Sequence, residues 1–232
     1  MTITANKTVG ELAAEIPNST RLFEKLGIDY CCAGQKPLEE ACAGLNLSVD
    51  DVLRALEQSP GTAVDCDWNT TPLGELVDHI VEKHHTYVKN EVPRLQALIA
   101  KVVGVHGKNH TELQEVSEAF SALANELAAH LMKEEQILFP YVKQMASGAG
   151  GGSACFGSVE NPIAVMMMEH DNAGEQLRNI RQVTGNYTIP DDACQSYKML
   201  FSALVEFEQD LHQHIHLENN ILFPRAIQLE QK

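Results

Sequence analysis

His130-Leu-Met-Lys-Glu134-Glu-Gln-Ile137-Leu138-Phe139-Pro140 and His214-Ile-His-Leu-Glu218-Asn-Asn-Ile221-Leu222-Phe223-Pro224 are one phrase written twice. Each copy sets a histidine and a glutamate four residues apart, one turn along the same helical face. That face is the apolar one. His130 and Glu134 keep register with Phe120, Leu123, Leu127, Ile137 and Tyr141, and His214 and Glu218 with Tyr197, Leu200/Phe201, Leu204, Phe207, Leu211 and Ile221. Two further series keep helical spacing: Leu73, Leu76/Val77, Ile80/Val81, Val88, Val92, Leu95, Ile99, and Ile163, Met166/Met167, His170, Gly174, Leu177, Ile180. They match each other loosely around His85 and His170, so the chain reads as a duplicated helical hairpin. No segment alternates with period two for long enough to make a strand. Four long amphipathic helices with three connections predict an all-α fold, an up-down four-helix bundle. Gly148 to Gly152 is the expected crossing between its halves.

An ionised glutamate aimed into a core is costly unless it is paired or bound to a metal. Two of them with four imidazoles make a six-ligand set of nitrogen and oxygen donors. That set suits iron or manganese better than a structural zinc, which takes four ligands, often thiolates. Other histidines on apolar faces, His79 and His216, read as core residues, and Met166-Met167-Met168 as core filling rather than a soft-metal site. A ferritin-like centre needs two Glu-x-x-His motifs; the sequence has one, Glu82-Lys83-His84-His85. Periodicity does not choose between His84 and His85, since both fall near the seam.

The front of the chain is built differently. Thr8 with Glu11 reads as a capping box opening a helix through Leu12 and Ile16, interrupted at Pro17-Asn18. A second helix carries Leu22, Phe23 and Leu26 and stops at Gly27. Pro37 starts a third, and Ser48 with Asp51 caps a fourth. Gln58 to Thr62 is a linker by composition, and Thr71-Pro72 reads as an N-cap with proline at the first helical position. The expected division is a small helical domain over 1–60, a linker over 61–70 and the bundle over 71–232.

Composition bounds the rest. With 17 basic and 32 acidic residues the formal charge is −15, which argues against nucleic acid and against anionic membrane as partners. The apolar runs are too short to span a bilayer, and the first residues do not resemble a signal peptide; the expected compartment is the cytoplasm. Six cysteines, Cys31, Cys32, Cys42, Cys66, Cys155 and Cys194, form no Cys-x-x-Cys pair and are expected as thiols.

The phrases around His130, His214 and Met168-Glu-His170-Asp-Asn-Ala-Gly-Glu175 resemble the iron–sulfur cluster repair proteins, the RIC family. Asp29-Tyr30-Cys31-Cys32-Ala33-Gly34 is similar to the Asp-Tyr-Cys-Cys turn of that family's N-terminal domain, so the resemblance spans essentially the whole chain. It implies a hemerythrin-like fold and a centre of two iron ions, oxo- or hydroxo-bridged. His85, His130, His170 and His214 are the implied terminal ligands, with Glu134 and Glu218 as the implied bridges and His84 as the fallback for His85. The implied function is repair of clusters damaged by oxidative or nitrosative stress, through donated iron, with damaged iron–sulfur proteins as partners. The competing expectations are a di-iron enzyme reducing nitric oxide or peroxide, and a module that binds or senses oxygen or nitric oxide. Adjacent cysteines suit no structural disulfide. On an exposed turn, Cys31 and Cys32 would transfer iron or nitric oxide or relay electrons. Two thiolates are too few to close a cluster site, so a partner protein, or a second copy in a homodimer, would supply more.

Overall fold

A computed structural model describes residues 4–58, 67–148 and 156–231. Residues 59–66 of the expected linker region and 149–152 of the glycine-rich crossing, with Cys66 and Cys155, lie outside the described residues. Among the described residues the regular structure is helical, with one isolated bridge between Thr8 and Pro37. The helices are α1 (Val9–Glu15), α2 (Ser19–Leu26), α3 (Leu38–Gly44), α4 (Val49–Glu57), α5 (Leu73–His79), α6 (Thr86–His106), α7 (Glu112–Lys133), α8 (Phe139–Ala146), α9 (Glu160–Val183), α10 (Gln195–His216) and α11 (Phe223–Glu230). Three wide turns interrupt the long runs: π1 (Ile80–His85), π2 (Glu134–Leu138) and π3 (Leu217–Leu222). No helix among the described residues is long and apolar enough to cross a membrane.

The wide turns follow from hydrogen bonds that reach five residues back instead of four. Phe139 N–H donates to Glu134 O, Phe223 N–H to Glu218 O, and Thr86 N–H to Val81 O. Each such turn inserts one residue and rotates everything downstream. The clearest effect is after Glu134. The expected seam through Ile137 and Tyr141 is corrected to Leu138, Phe139 and Val142, which are buried, while Ile137 is 49% exposed and Tyr141 half-buried. Pro140 and Pro224 follow two of the wide turns. A proline in a tight helix lacks the N–H and presses its ring on the carbonyl four residues back, and a wider turn relieves that clash. Proline alone is not sufficient, because Pro93 lies inside α6 without one.

The chain forms two compact units. One comprises Met1–Asp78, Tyr141–Ile163 and His212–Lys232. Its first helix has the expected capping box, Thr8 Oγ1 accepting from Glu11 N–H and Glu11 from Thr8 N–H. Asn18 takes a left-handed φ of 62° between α1 and α2, and Gly27 one of 71° after α2. Ser48 caps α4 through Asp51 N–H. Phe23, Tyr30 and Leu38 are fully buried, Phe23 and Tyr30 with ring centroids 6.1 Å apart. The Arg225 guanidinium donates to the carbonyls of Trp68 and Thr71, at 2.6 and 2.7 Å. Pro72 sits one place earlier than expected: its carbonyl accepts from Leu76 N–H, making it the N-cap residue, while the Thr71 hydroxyl donates to Asp67 O. α1 meets π3 closely. Gly10 N–H donates to Gly34 O at 2.7 Å, and a Cβ on Gly10 or Gly34 would come within 2.4 or 2.7 Å of Asn220 Oδ1.

The other unit comprises His79–Pro140 and Ala164–Leu211. Here α6 and α7 are joined by the turn at 107–111 and α9 and α10 by residues 184–194, lengths that make antiparallel hairpins. Apolar residues of all four helices fill the core, among them Leu95, Leu123, Leu177 and Leu204, and Phe120 meets Phe207 edge-on at 5.5 Å. Arg181 and Tyr187 satisfy the buried Glu208 carboxylate at 2.6 and 3.0 Å. The methionine run is corrected to one core residue: Met166 is buried, whereas Met168 is 57% exposed.

Candidate metal centre

Four of the six expected ligands belong to the unit of α6, α7, α9 and α10, and all four are buried. Glu134 is 0% exposed. Its Oε2 lies 3.4 Å from His85 Nε2 and 3.3 Å from His130 Nε2. His170 Nε2 is 3.0 Å from His130 Nε2. His130, Glu134 and His170 thus offer ligand atoms within 4.8 Å of one another. π1 ends on His85 and π2 begins on Glu134, whereas His170 reaches its place by the ordinary register of α9. The wide turn π1 turns both neighbouring histidines inward but to different partners. His84 Nδ1 takes Asp210 at 3.0 Å, and His85 faces Glu134. Glu82 points to solvent.

Two carboxylates that periodicity did not single out govern the imidazoles. Glu135 Oε1 lies 2.8 Å from His85 Nδ1, and Glu169 Oε2 lies 2.9 Å from His130 Nδ1. Each is itself held by a lysine, Glu135 by Lys89 and Glu169 by Lys133. Partial burial pushes both carboxyls up, but the lysine and histidine hydrogen bonds outweigh it and leave them below the ordinary glutamate range. With Nδ1–H donated to a carboxylate, Nε2 is the nitrogen left with a lone pair. In both rings that nitrogen is the one turned toward Glu134, and in His130 it faces His170 as well. Carboxylate–imidazole pairs of this form orient metal-binding histidines and raise their basicity. The signal for these two residues was local: Glu135 directly follows Glu134, and Glu169 directly precedes His170.

The other unit carries the second copy of the phrase. His214 Nε2 and Glu218 Oε1 are 3.1 Å apart, both side chains 0% exposed. The Cys31-Cys32 turn is fastened to the same helical stretch. Asn219 Nδ2 donates to Cys31 O at 3.1 Å and Asn220 Nδ2 to Tyr30 O at 2.9 Å. Asp29 Oδ1 accepts from the N–H groups of Cys31, Cys32 and Ala33 and thereby shapes the turn. Asp29, Cys31 and Cys32 offer ligand atoms within 4.8 Å of one another, the two sulfurs lying 3.7 Å apart. The expectation of an exposed pair is corrected: Cys31 is buried and Cys32 half-buried, because the asparagines draw the turn onto π3. The hydrogen bond with Cys32, burial and the neighbouring Asp29 carboxyl hold the Cys31 thiol well above the ordinary cysteine range. His216 is a core histidine, with Nδ1 accepting from Asn220 at 2.8 Å, and burial pushes it down to about 4. His79 is half-buried, edge-on to His84 at 5.8 Å.

The donor chemistry fits iron. The buried donors of the histidine–glutamate groups are imidazole nitrogen and carboxylate oxygen, the borderline-to-hard set that divalent iron accepts, and Glu135 and Glu169 already hold the second nitrogens of His85 and His130.

Residues 76–226 match the hemerythrin HHE cation binding domain, and residues 5–59 match a domain of unknown function, DUF542. The iron-sulfur cluster repair protein YtfE of Enterobacter sp. (strain 638) is 41% identical over 222 residues, 96% of this chain and 97% of the relative. The proteins of the same name from Citrobacter koseri and from Escherichia coli O81 are 40% identical over the same shares. With its helical fold, its buried histidine–glutamate groups and this likeness along nearly its whole length, the chain belongs to the hemerythrin-like family of the YtfE iron–sulfur cluster repair proteins.

Proposed function

We propose that His85, His130, His170 and His214, with Glu134 and Glu218 as bridges, hold two iron ions, and that the chain repairs damaged iron–sulfur clusters by donating that iron. The observation that carries this reading is the pair of buried imidazoles whose Nε2 atoms face Glu134 while Glu135 and Glu169 hold their Nδ1 atoms. Three imidazoles and one carboxylate on one unit, or one of each on the other, are too few for two irons. The repeated His-x-x-x-Glu phrase supports joining them. Bound iron supplies an exchangeable ferrous ion. The protein's part is to keep Nε2 unprotonated, to exclude water through the apolar rings and aliphatic chains around the ligands, and to bind without thiolate, so that release to a thiolate-rich acceptor runs downhill. The same reading takes the cytoplasm as compartment, iron–sulfur proteins as targets, and 1–60, 61–70 and 71–232 as small domain, linker and bundle. The two family matches, to 5–59 and 76–226, support that division.

One observation favours a second reading, a reductase of nitric oxide or peroxide: the Cys31 carbonyl is tied to Asn219, the residue after Glu218. The test mixes reduced, iron-loaded protein with a cluster-damaged apo-enzyme, with and without a ferrous chelator. Donation requires repair to scale with iron lost and to stop with chelator. Repair that proceeds at full rate in chelator, with catalytic loss of nitric oxide, would replace it with the reductase reading.

A further inference from the structure

At the far end of α6, the 21-residue helix that starts after His85, stands a second group of metal-ligating side chains. At 1.5 Å per residue it lies about 30 Å from His85. His106 ends α6, His110 lies in the turn to α7, and Asp192 lies in the connection before α10; their ligand atoms are all within 4.8 Å of one another.

The surroundings are those of a built site. His106 and His110 both stand edge-on to Tyr197, at 5.3 and 5.4 Å, and Tyr197 is fully buried, so one fixed ring sets the position of both imidazoles. His110 Nδ1 is taken by Glu112 at 3.0 Å, which leaves Nε2, 2.9 Å from Asp192, as the nitrogen facing the group. That is the carboxylate–imidazole arrangement that orients metal-binding histidines. An ordinary His110–Asp192 ion pair would account for two of the residues. It does not account for His106, whose Nε2 is shielded from solvent and finds no hydrogen-bond partner among the described residues.

We propose that His106, His110 and Asp192 bind one borderline divalent cation, with Zn²⁺ as the best match, independently of the iron ligands. Two imidazoles and one carboxylate are three of the four ligands that zinc takes tetrahedrally, and the fourth position falls to solvent. The ion enters with release of the proton shared by His110 and Asp192. Its effect is to tie the α6–α7 turn to the α9–α10 connection.

The test uses the iron-loaded full chain, so that the iron ligands are occupied, titrated with Zn²⁺ against a chromophoric zinc chelator. The expected result is one Zn²⁺ per chain in the wild type and at least tenfold weaker binding in His106→Gln and Asp192→Asn, with iron content unchanged. Asp192 is more than half exposed, so that variant leaves the fold intact. No Zn²⁺ bound by the iron-loaded wild type would overturn the site. So would equal Zn²⁺ binding in both variants, and a second tightly held Fe²⁺ at a concentration where Zn²⁺ does not bind would overturn the choice of cation.

Discussion

Replacing Glu135 or Glu169 by glutamine removes a charge behind an imidazole proposed as an iron ligand and leaves the shape and an accepting oxygen in place. The hydrogen bonds concerned are 2.8 Å to His85 Nδ1 and 2.9 Å to His130 Nδ1. Loss of such a partner weakens metal binding by about 10–100-fold, or about 1.4–2.7 kcal/mol. The iron-free fold should register much less. Lys89, the partner of Glu135, is 52% exposed and Lys133, the partner of Glu169, is 37% exposed, so breaking those ion pairs costs at most about 1 kcal/mol in water. The perturbation therefore separates metal affinity from folding. Iron affinity is read by competition with a chromophoric ferrous chelator, and stability by urea denaturation of the iron-free protein. The double variant should lose more affinity than either single one, because the two carboxylates serve different rings. Unchanged iron affinity in the double variant, or a loss of iron-free stability as large as the loss of affinity, would refute the assignment of Glu135 and Glu169 as orienting groups.

Glu134→Ala and Glu218→Ala should each abolish loading of two irons per chain while circular dichroism still shows a folded helical protein, since alanine beside leucine costs less than a buried carboxylate without its metal. One tightly held zinc and no iron after anaerobic reconstitution of the wild type would end the di-iron reading. Gly34→Ala should destabilise the fold by about 1–3 kcal/mol, because its Cβ would meet Asn220 Oδ1 at 2.7 Å and Tyr30 O at 2.8 Å; adding Asn220→Ala should recover only part, as the backbone clash remains. Cys31→Ser/Cys32→Ser should leave iron content unchanged and slow repair, measured per iron and per folded molecule, because a serine hydroxyl is a poor iron ligand. Equal normalised rates would return both cysteines to a packing role.

The buried histidine–glutamate pairs were legible in sequence for one reason: polar residues that break an apolar stripe at helical spacing, twice and in the same words, have few explanations. The stripe itself held wherever the helix stayed regular. Phe120, Leu123, Leu127, Leu200, Leu204 and Leu211 are all buried as the spacing requires. It failed at Ile137, one turn past Glu134, because a hydrogen bond to the carbonyl five residues back inserted a residue that periodicity does not contain. His84 and His85 could not be separated for the same reason, since π1 turns both inward. Glu135 and Glu169 act across helices, at separations of 50 and 39 residues, and the asparagines that bury Cys31 lie nearly 190 positions downstream. Such pairings depend on tertiary packing, which a single sequence does not encode locally.

The wide turn after Glu134 yields a last test, because the residue it accommodates is the exposed Ile137. Deleting Ile137 would let Leu138, Phe139 and Val142 fall into the positions that a regular helix buries, so the apolar seam survives the deletion. What does not survive is the room for Pro140. In a regular helix its ring would press on the carbonyl four residues back and leave that carbonyl unpaired, a cost of about 3 kcal/mol or more. The deletion should therefore lower stability by about that amount in thermal or urea unfolding. Pro140→Ala, nearly neutral by itself, should restore most of it when added to the deletion. Iron binding should recover with it only if Glu134 keeps its direction, since the Phe139 N–H that now reaches its carbonyl from five residues on would reach it from four. A deletion as stable as the wild type would show that the proline does not hold the turn open. The widening would then have to be maintained by Glu134, the proposed ligand on it, and removal of Glu134 rather than of Pro140 would be the change that closes it.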